Sequence, residues 1–349
     1  MKYTTLGQTD INISRICLGT MTWGNQNTES EGHSQMDMAL DMGVNFWDTA
    51  EMYAVPPTKE TYGSTESIIG SWFKKTGRRD EVILASKLSP EMPYIRTQNR
   101  IDRPSIIDAV ESSLKRLQTE YIDLYQLHWP TNRSLFHFNN VWSYKARTTN
   151  WQEVMDNQLE VVITLNELIK AGKIRQWGLS NDSAWGITQY ANIARSNNLL
   201  GPVSVQNEYS LLRRRDELNI AEACLIEGIS YLPWSPLAMG VLSGKYLGGQ
   251  TPNARITLDE PSQNRYGYRL TENVEAATRA YVEIAKSNNI DPCQMAIAYC
   301  LTHPFITSPI IGASTLEQLE TNIKAIDVEL SDDVNNAIEA VHKQYPMPF

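Results

Sequence analysis

The sequence predicts an α/β fold, a closed (β/α)8 TIM barrel with long loops at its C-terminal face, occupying residues 1–349 as a single domain. Three observations carry that expectation. Eight short apolar runs recur along the chain, amphipathic stretches with helical spacing separate them, and the longest connections follow strands. Strand–helix alternation argues for a parallel sheet, and eight rounds of it argue for closure.

In order, the predicted strands are 16–19, 44–48, 82–86, 122–128, 174–180, 203–207, 229–234 and 309–312. They are rich in Val, Ile, Leu and aromatic residues without strict alternation, as parallel strands covered on both faces should be. Ahead of them, 6–13 is expected to form a hairpin that plugs the barrel bottom. Between strands, Ile106, Ile107, Val110, Leu114 and Leu117 fall on one helical face. Gly172 is expected to stop a helix over 161–171 just before the next strand. Long connections span 88–102, 129–150 and 235–271, all leaving the C-terminal mouth of the barrel, where barrel enzymes in general keep their active sites. Loops of this length in a compact domain usually carry function.

Bulk properties narrow the classes. The net charge of −9 offers no basic field to displace counterions from phosphates, so a nucleic-acid partner is not expected. No apolar run approaches the roughly 20 residues that span a bilayer, and the first residues lack the apolar core of a secretion signal. Cys17, Cys224, Cys293 and Cys300 are scattered without metal-site spacing, which reads as reduced thiols in a cytoplasmic protein.

Polar residues stand where predicted strands end. Asp48 closes the second, with Tyr53 five residues on; Lys87 follows the third; His128 closes the fourth. Singly, each has an ordinary structural role as a cap, a solvated charge or a core residue. Jointly, they solve one problem. Hydride addition to a carbonyl leaves an alkoxide that needs a proton, and a free phenol with a pKa of about 10 gives its proton up reluctantly. A neighbouring ammonium lowers that value, a carboxylate anchors the ammonium, and a neutral imidazole orients the carbonyl oxygen. A metal-dependent hydrolase built on Asp48 and His128 is disfavoured, since no paired histidines or carboxylate cluster sit at the strand ends.

The motifs VNFWDTAEMY (44–53), IDLYQLHWP (122–130) and LGTMTWG (18–24) resemble the aldo-keto reductase superfamily. The resemblance continues in order through WGLSN (177–181), VQNEY (205–209), PWSPL (233–237) and IGAS (311–314), and so covers nearly the whole chain. It points to the Tas-type bacterial branch, near the voltage-gated potassium channel β subunits. The resemblance implies Tyr53 as general acid, Lys87 as its partner, Asp48 as the lysine's anchor and His128 as the carbonyl-orienting group. The implied reaction is NADPH-dependent reduction of an aldehyde or ketone; a slow-turnover NADPH-binding protein that works through a protein partner is the alternative.

No GxGxxG follows a strand, so a Rossmann site is not expected. Ser180, Asn181 and Gln206 are placed to hydrogen-bond a carboxamide, and Trp234 to stack on a nicotinamide ring. Gly19, Thr20 and Met21, with Ser235, Pro236 and Leu237, would complete that wall. Phosphate groups are assigned to Gly240, Leu242, Gly244, Lys245 and Arg255, and to a turn entering a helix at Gly312, where Ser314 and Glu317 are spaced as a capping box. The resemblance implies Lys245 and Arg255 as NADPH contacts and Asn322 as an adenine contact. It also shows a departure: many members carry a basic residue at Gly312 and arginine at Gln318. The 2′-phosphate is therefore assigned mainly to Ser314, Gln318, Lys245 and Arg255. Trp23, Tyr53, Trp129, and Trp142 or Trp151 are expected to line an aromatic substrate pocket, beside an inserted loop stiffened by Pro56 and Pro57.

Overall fold

The computed structural model describes residues 1–89, 91–92, 94–96, 101–130, 150–249, 251–252, 254–258 and 260–349. A short antiparallel hairpin, β1 (Tyr3–Thr5) and β2 (Asn12–Ser14), precedes the barrel. Eight parallel strands follow: β3 (Cys17–Gly19), β4 (Phe46–Asp48), β5 (Ile83–Leu88), β6 (Ile122–Leu127), β7 (Ile174–Ser180), β8 (Ser204–Gln206), β9 (Ser230–Tyr231) and β10 (Ile310–Ile311). Their order is β10-β3-β4-β5-β6-β7-β8-β9. Closure comes from parallel bridges between Tyr231 and Ile306 and between Trp234 and Ile310. The amide of Ile310 donates to the carbonyl of Pro233 at 2.8 Å there.

All eight predicted strands form. The last ones are shorter than their apolar runs because adjacent barrel strands pair continuously over only a few residues. Leu232 and Trp234 still donate to Val205 and Asn207, at 2.8 and 2.9 Å, beyond the end of β9. Leu6, Ile11 and Ile13 of the hairpin are buried against Phe46, Ala85, Leu124 and Leu232, which closes the barrel floor with apolar side chains.

Helices wrap the sheet. α1 (Glu29–Asp41), α2 (Ser64–Thr76), α3 (Arg103–Leu117), α4 (Trp151–Lys170), α5 (Ala184–Ser196) and α6 (Ile220–Glu227) follow the strands in turn. Ile106, Val110, Leu114 and Leu117 of α3 are buried as their spacing requires, and Asp102 caps its first turn. α4 begins ten residues before the predicted 161, at Trp151, with Asn150 as its cap. The 235–271 connection is not irregular: it carries a 3₁₀ segment (Ala238–Ser243), α7 (Glu260–Tyr266) and a second 3₁₀ turn (Gly267–Arg269). α8 (Glu272–Ser287), α9 (Pro292–Thr302), α10 (Leu316–Lys324) and α11 (Asp332–Gln344) complete the chain, and α8, α9 and α11 share an apolar cluster with that connection. Most of the 129–150 connection, Trp142 included, lies outside the described residues. Among the described residues, no helix is long and apolar enough to cross a membrane.

Candidate active site

A cavity of 1260 Å³ opens at the C-terminal ends of the strands, and Asp48, Tyr53 and His128 all line it. The turn after β4 sets Tyr53. Thr49 donates to the carbonyl of Ala85 at 2.9 Å, Glu51 to that of Lys87 at 3.1 Å, and Tyr53 to that of Ala50 at 3.0 Å. The turn is thus stitched to the end of β5, which brings the phenol back over Lys87.

Lys87 is fully buried behind the cavity wall. Its Nζ donates to Asp48 Oδ2 at 2.6 Å, to the carbonyl of Thr49 at 2.8 Å and to Tyr53 Oη at 3.4 Å. Asp48 Oδ1 accepts from Gln206 Nε2 at 2.7 Å and Gln126 Nε2 at 3.2 Å. A buried carboxylate is costly unless its lone pairs are satisfied, and here they are. Burial alone favours the neutral amine of Lys87, but Asp48 and Tyr53 outweigh it and hold the ammonium above its ordinary value.

Lys87 does pull the phenol's pKa down, but in the chain by itself the net value still lies above the ordinary one. Burial pushes Tyr53 upward, and Lys87 offsets only part of that. The physical reason is that desolvation penalises the phenolate more than one ammonium at 3.4 Å favours it. His128 is pushed well below its ordinary value, first by burial and then by Lys87, so the imidazole is neutral. Its ring meets Tyr53 edge-on at 5.8 Å and stacks on Trp129 at 4.1 Å. Nδ1 of His128 has no hydrogen-bond partner among the described residues.

The residues assigned to a cofactor fall into two groups. Gly19, Thr20, Met21, Ser180, Asn181, Gln206, Trp234, Ser235, Pro236 and Leu237 line the inner part of the cavity. Several are committed to each other: Ser180 Oγ donates to the carbonyl of Gln206 at 2.9 Å, Asn181 Nδ2 to that of His128 at 3.0 Å, and Trp234 Nε1 to Asn181 Oδ1 at 3.2 Å. Gln206 spends its amide on Asp48, so it is a brace for the carboxylate as well as a wall residue.

Gly240, Lys245, Arg255, Gly312, Ser314, Gln318 and Asn322 line the cavity too, Arg255 close enough to Tyr53, Tyr246 and Tyr266 for their charges to act on it. Gly240 has φ +91°, and a Cβ there would lie 2.8 Å from Lys245 Cε, so only glycine lets the lysine fold back over the turn. Nothing lies within 4 Å of a Cβ built on Gly312, which leaves space at the start of α10. Burial lowers both Lys245 and Arg255, and Arg255 lowers Lys245 further. Two cations therefore face each other, and neither forms an ion pair among the described residues.

Some assignments are not brought to the cavity. Leu242 is buried in the apolar cluster beneath the β9 connection, and Gly244 ends the 3₁₀ segment; neither lines the wall. Trp23 does not reach the mouth. Its ring is fully buried with Met36 and Ile68 between α1 and α2, and Nε1 donates to Gln35 Oε1 at 3.2 Å. Its large apolar area is better satisfied under the helices. Trp151 is 59% exposed and packs edge-on against Trp185, away from the cavity. The capping assignment shifts by one residue: Thr315 caps α10, accepting from Gln318 N at 3.2 Å, while Gln318 Oε1 accepts from Ser314 N at 3.0 Å. Glu317 supplies no cap; threonine with glutamine three residues on serves the same end.

The structure adds wall residues that were not singled out, among them Met52, Val55, Arg265, Tyr266 and Cys293. Met52 adjoins Tyr53 in sequence, and Arg265-Tyr266 lies in a long connection already marked as functional. Both signals were present, but which side of α7 would turn inward had no local signature.

Comparison with known proteins places this arrangement. Residues 15–343 match the Aldo/keto reductase family. The chain is 41% identical over 356 residues to Protein tas of Escherichia coli (strain K12), a comparison covering 100% of this chain and 99% of that protein. It is 33% identical to the Uncharacterized oxidoreductase YrpG of Bacillus subtilis (strain 168), over 96% of this chain and 94% of that one. It is also 31% identical to a Probable voltage-gated potassium channel subunit beta of Oryza sativa subsp. japonica, over 99% and 98% of the two chains. A closed eight-stranded barrel, a buried Asp–Lys–Tyr chain at its mouth and matches of this length make the chain a member of the aldo/keto reductase family, an oxidoreductase.

Proposed function

We propose that this chain is an NADP-dependent alcohol:NADP⁺ oxidoreductase that reduces an aldehyde or ketone to an alcohol with NADPH, with Tyr53 as general acid. The single observation that carries the reading is the hydrogen-bonded path Asp48–Lys87–Tyr53, which ends at a cavity where a neutral His128 stands 5.8 Å away, ring to ring.

The cavity suits a dinucleotide. Its 1260 Å³ exceeds the roughly 300–1,000 Å³ of ordinary small-molecule sites. Trp234 offers an aromatic surface in the inner part. Lys245 and Arg255 offer positive charge to phosphate, and the start of α10 lines the same cavity. Trp234 would hold a reduced nicotinamide, whose chemistry would be the supply of the hydride. Lys245, Arg255, Ser314 and Gln318 are assigned to the 2′-phosphate, which favours NADPH over NADH, and Asn322 to the adenine.

The rest is done by the chain's own side chains. A carbonyl oxygen placed between Tyr53 Oη and the His128 ring receives a hydrogen bond from each as negative charge builds on it, and Tyr53 then gives up its proton. Lys87 stabilises the phenolate so formed, and Asp48 keeps the ammonium aimed. The neutral imidazole of His128 polarises the oxygen without competing as an acid. Met21, Met52, Val55 and Trp129 make the adjoining wall apolar, which suits flat or apolar carbonyl compounds in a cytoplasmic setting.

The deciding experiment titrates tryptophan fluorescence with NADPH and NADH, then follows absorbance at 340 nm with aromatic aldehydes and α-dicarbonyls. Micromolar NADPH affinity with carbonyl-dependent consumption is the expected result. Tight NADPH binding without turnover on any carbonyl would replace the reductase with a nucleotide-binding protein that acts through a partner.

A further inference from the structure

Behind the Tyr53 turn lies a buried carboxylate with no part in the path above. Glu51 is 3% exposed and does not line the cavity. Its Oε1 accepts from Arg96 Nη2 at 2.7 Å, its Oε2 from the amide of Ser89 at 3.0 Å, and its own amide donates to the carbonyl of Lys87 at 3.1 Å. One residue thus ties together the Tyr53 turn, the end of β5 and the connection that follows β5.

Arg96 is itself 8% exposed and sits in a tight turn, where its amide and carbonyl both bond to Met92 at 2.8 Å. Met92 and Ile95 of that turn pack on the cluster of Ala50, Met52, Tyr53 and Val55. The Glu51–Arg96 pair therefore joins the turn at 92–96 to the segment that carries the phenol. An ion pair this deep is not needed for stability, since apolar residues of similar volume often serve as well. Its place does matter to geometry. The Lys87–Tyr53 contact is 3.4 Å, already at the long end for a hydrogen bond, so a small outward drift of the turn breaks it.

We propose that Glu51 and Arg96 form a positioning pair that holds the Tyr53 hydroxyl within reach of Lys87 and couples that contact to the turn at 92–96 packed against it. This rests on the reductase reading above. Neither residue touches the reacting atoms; both act through the turn.

The test compares Glu51→Gln, Arg96→Met and the double variant in the full chain. Each single change leaves one buried polar or charged group without its partner, so the melting temperature falls; the double change removes both charges and restores most of it. Positioning predicts that the double variant, though stable again, keeps a kcat at least about tenfold below wild type, while NADPH affinity by fluorescence stays within about twofold. A double variant with wild-type kcat would overturn the pair's role, and it decides the matter even if neither single variant folds. Glu51→Asp is expected to recover part of kcat. If the wild-type chain itself reduces no carbonyl, the proposed function fails. The pair is then judged by amide exchange of residues 49–53 in the double variant, where faster exchange supports it and unchanged exchange overturns it.

Discussion

On the inner wall, where β4, β5 and β8 end, every charge is answered. Asp48 accepts from Lys87, Gln206 and Gln126, and Lys87 spends its protons on Asp48, Thr49 and Tyr53. On the wall formed by the β9 connection and the start of α10, Arg255 depresses Lys245, and neither cation meets a carboxylate among the described residues. Under the proposed function, the difference separates two tasks. Proton transfer needs groups fixed before the substrate arrives, which calls for burial and saturated hydrogen bonding. Capture of a phosphorylated ligand needs cations and amides whose partner is the ligand itself, so leaving them uncommitted costs the unliganded chain some stability and returns it on binding.

The sharpest way to break this comparison is Tyr53→Phe. It removes the only hydroxyl in the inner path that reaches the cavity, and kcat should fall by about 10²–10⁴ while NADPH affinity holds. Unchanged turnover in the 340 nm assay would move the proton donor elsewhere.

A smaller effect belongs to the wall of the β9 connection. Arg255→Ala should weaken NADPH by about tenfold and NADH far less, because the guanidinium is assigned to the 2′-phosphate. Fluorescence titrations with both nucleotides read the ratio, and equal weakening would detach Arg255 from that phosphate.

Smallest is a pH effect from His128. Its folded value lies well below the ordinary 6.5, so below about pH 6.5 the unfolded chain takes up a proton that the folded chain refuses. The unfolded state then binds more protons, and stability falls as pH drops through that window. His128→Gln should flatten this loss relative to wild type. Urea midpoints at pH 5, 6 and 7 measure it; parallel curves for the two proteins would mean that His128 is charged in the fold.

The inner wall was the more legible of the two. Asp48, Lys87 and His128 each follow an apolar run of β character, and a parallel strand delivers the residue at its C-terminal end to the mouth whatever the surrounding helices do. Gln126 and Gln206 as braces of Asp48 were not legible in the same way, since their pairing joins positions 48, 126 and 206 across a closed barrel. Trp23 shows the opposite failure. It follows the first barrel strand within a motif of the mouth, yet the packing of α1 against α2 offers its ring a drier site.

By itself, the sequence determined the eight-strand alternation, the hairpin at the barrel floor and the residue types at the strand ends, because period and chain punctuation are local properties of the chain. Tertiary structure alone decided that burial raises the Tyr53 phenol by more than Lys87 lowers it; that α7 lays Arg265 and Tyr266 along the cavity; and that Glu51 meets Arg96 across 45 residues. Desolvation and long-range ion pairing depend on what surrounds a group in three dimensions, and no spacing along the chain encodes that directly.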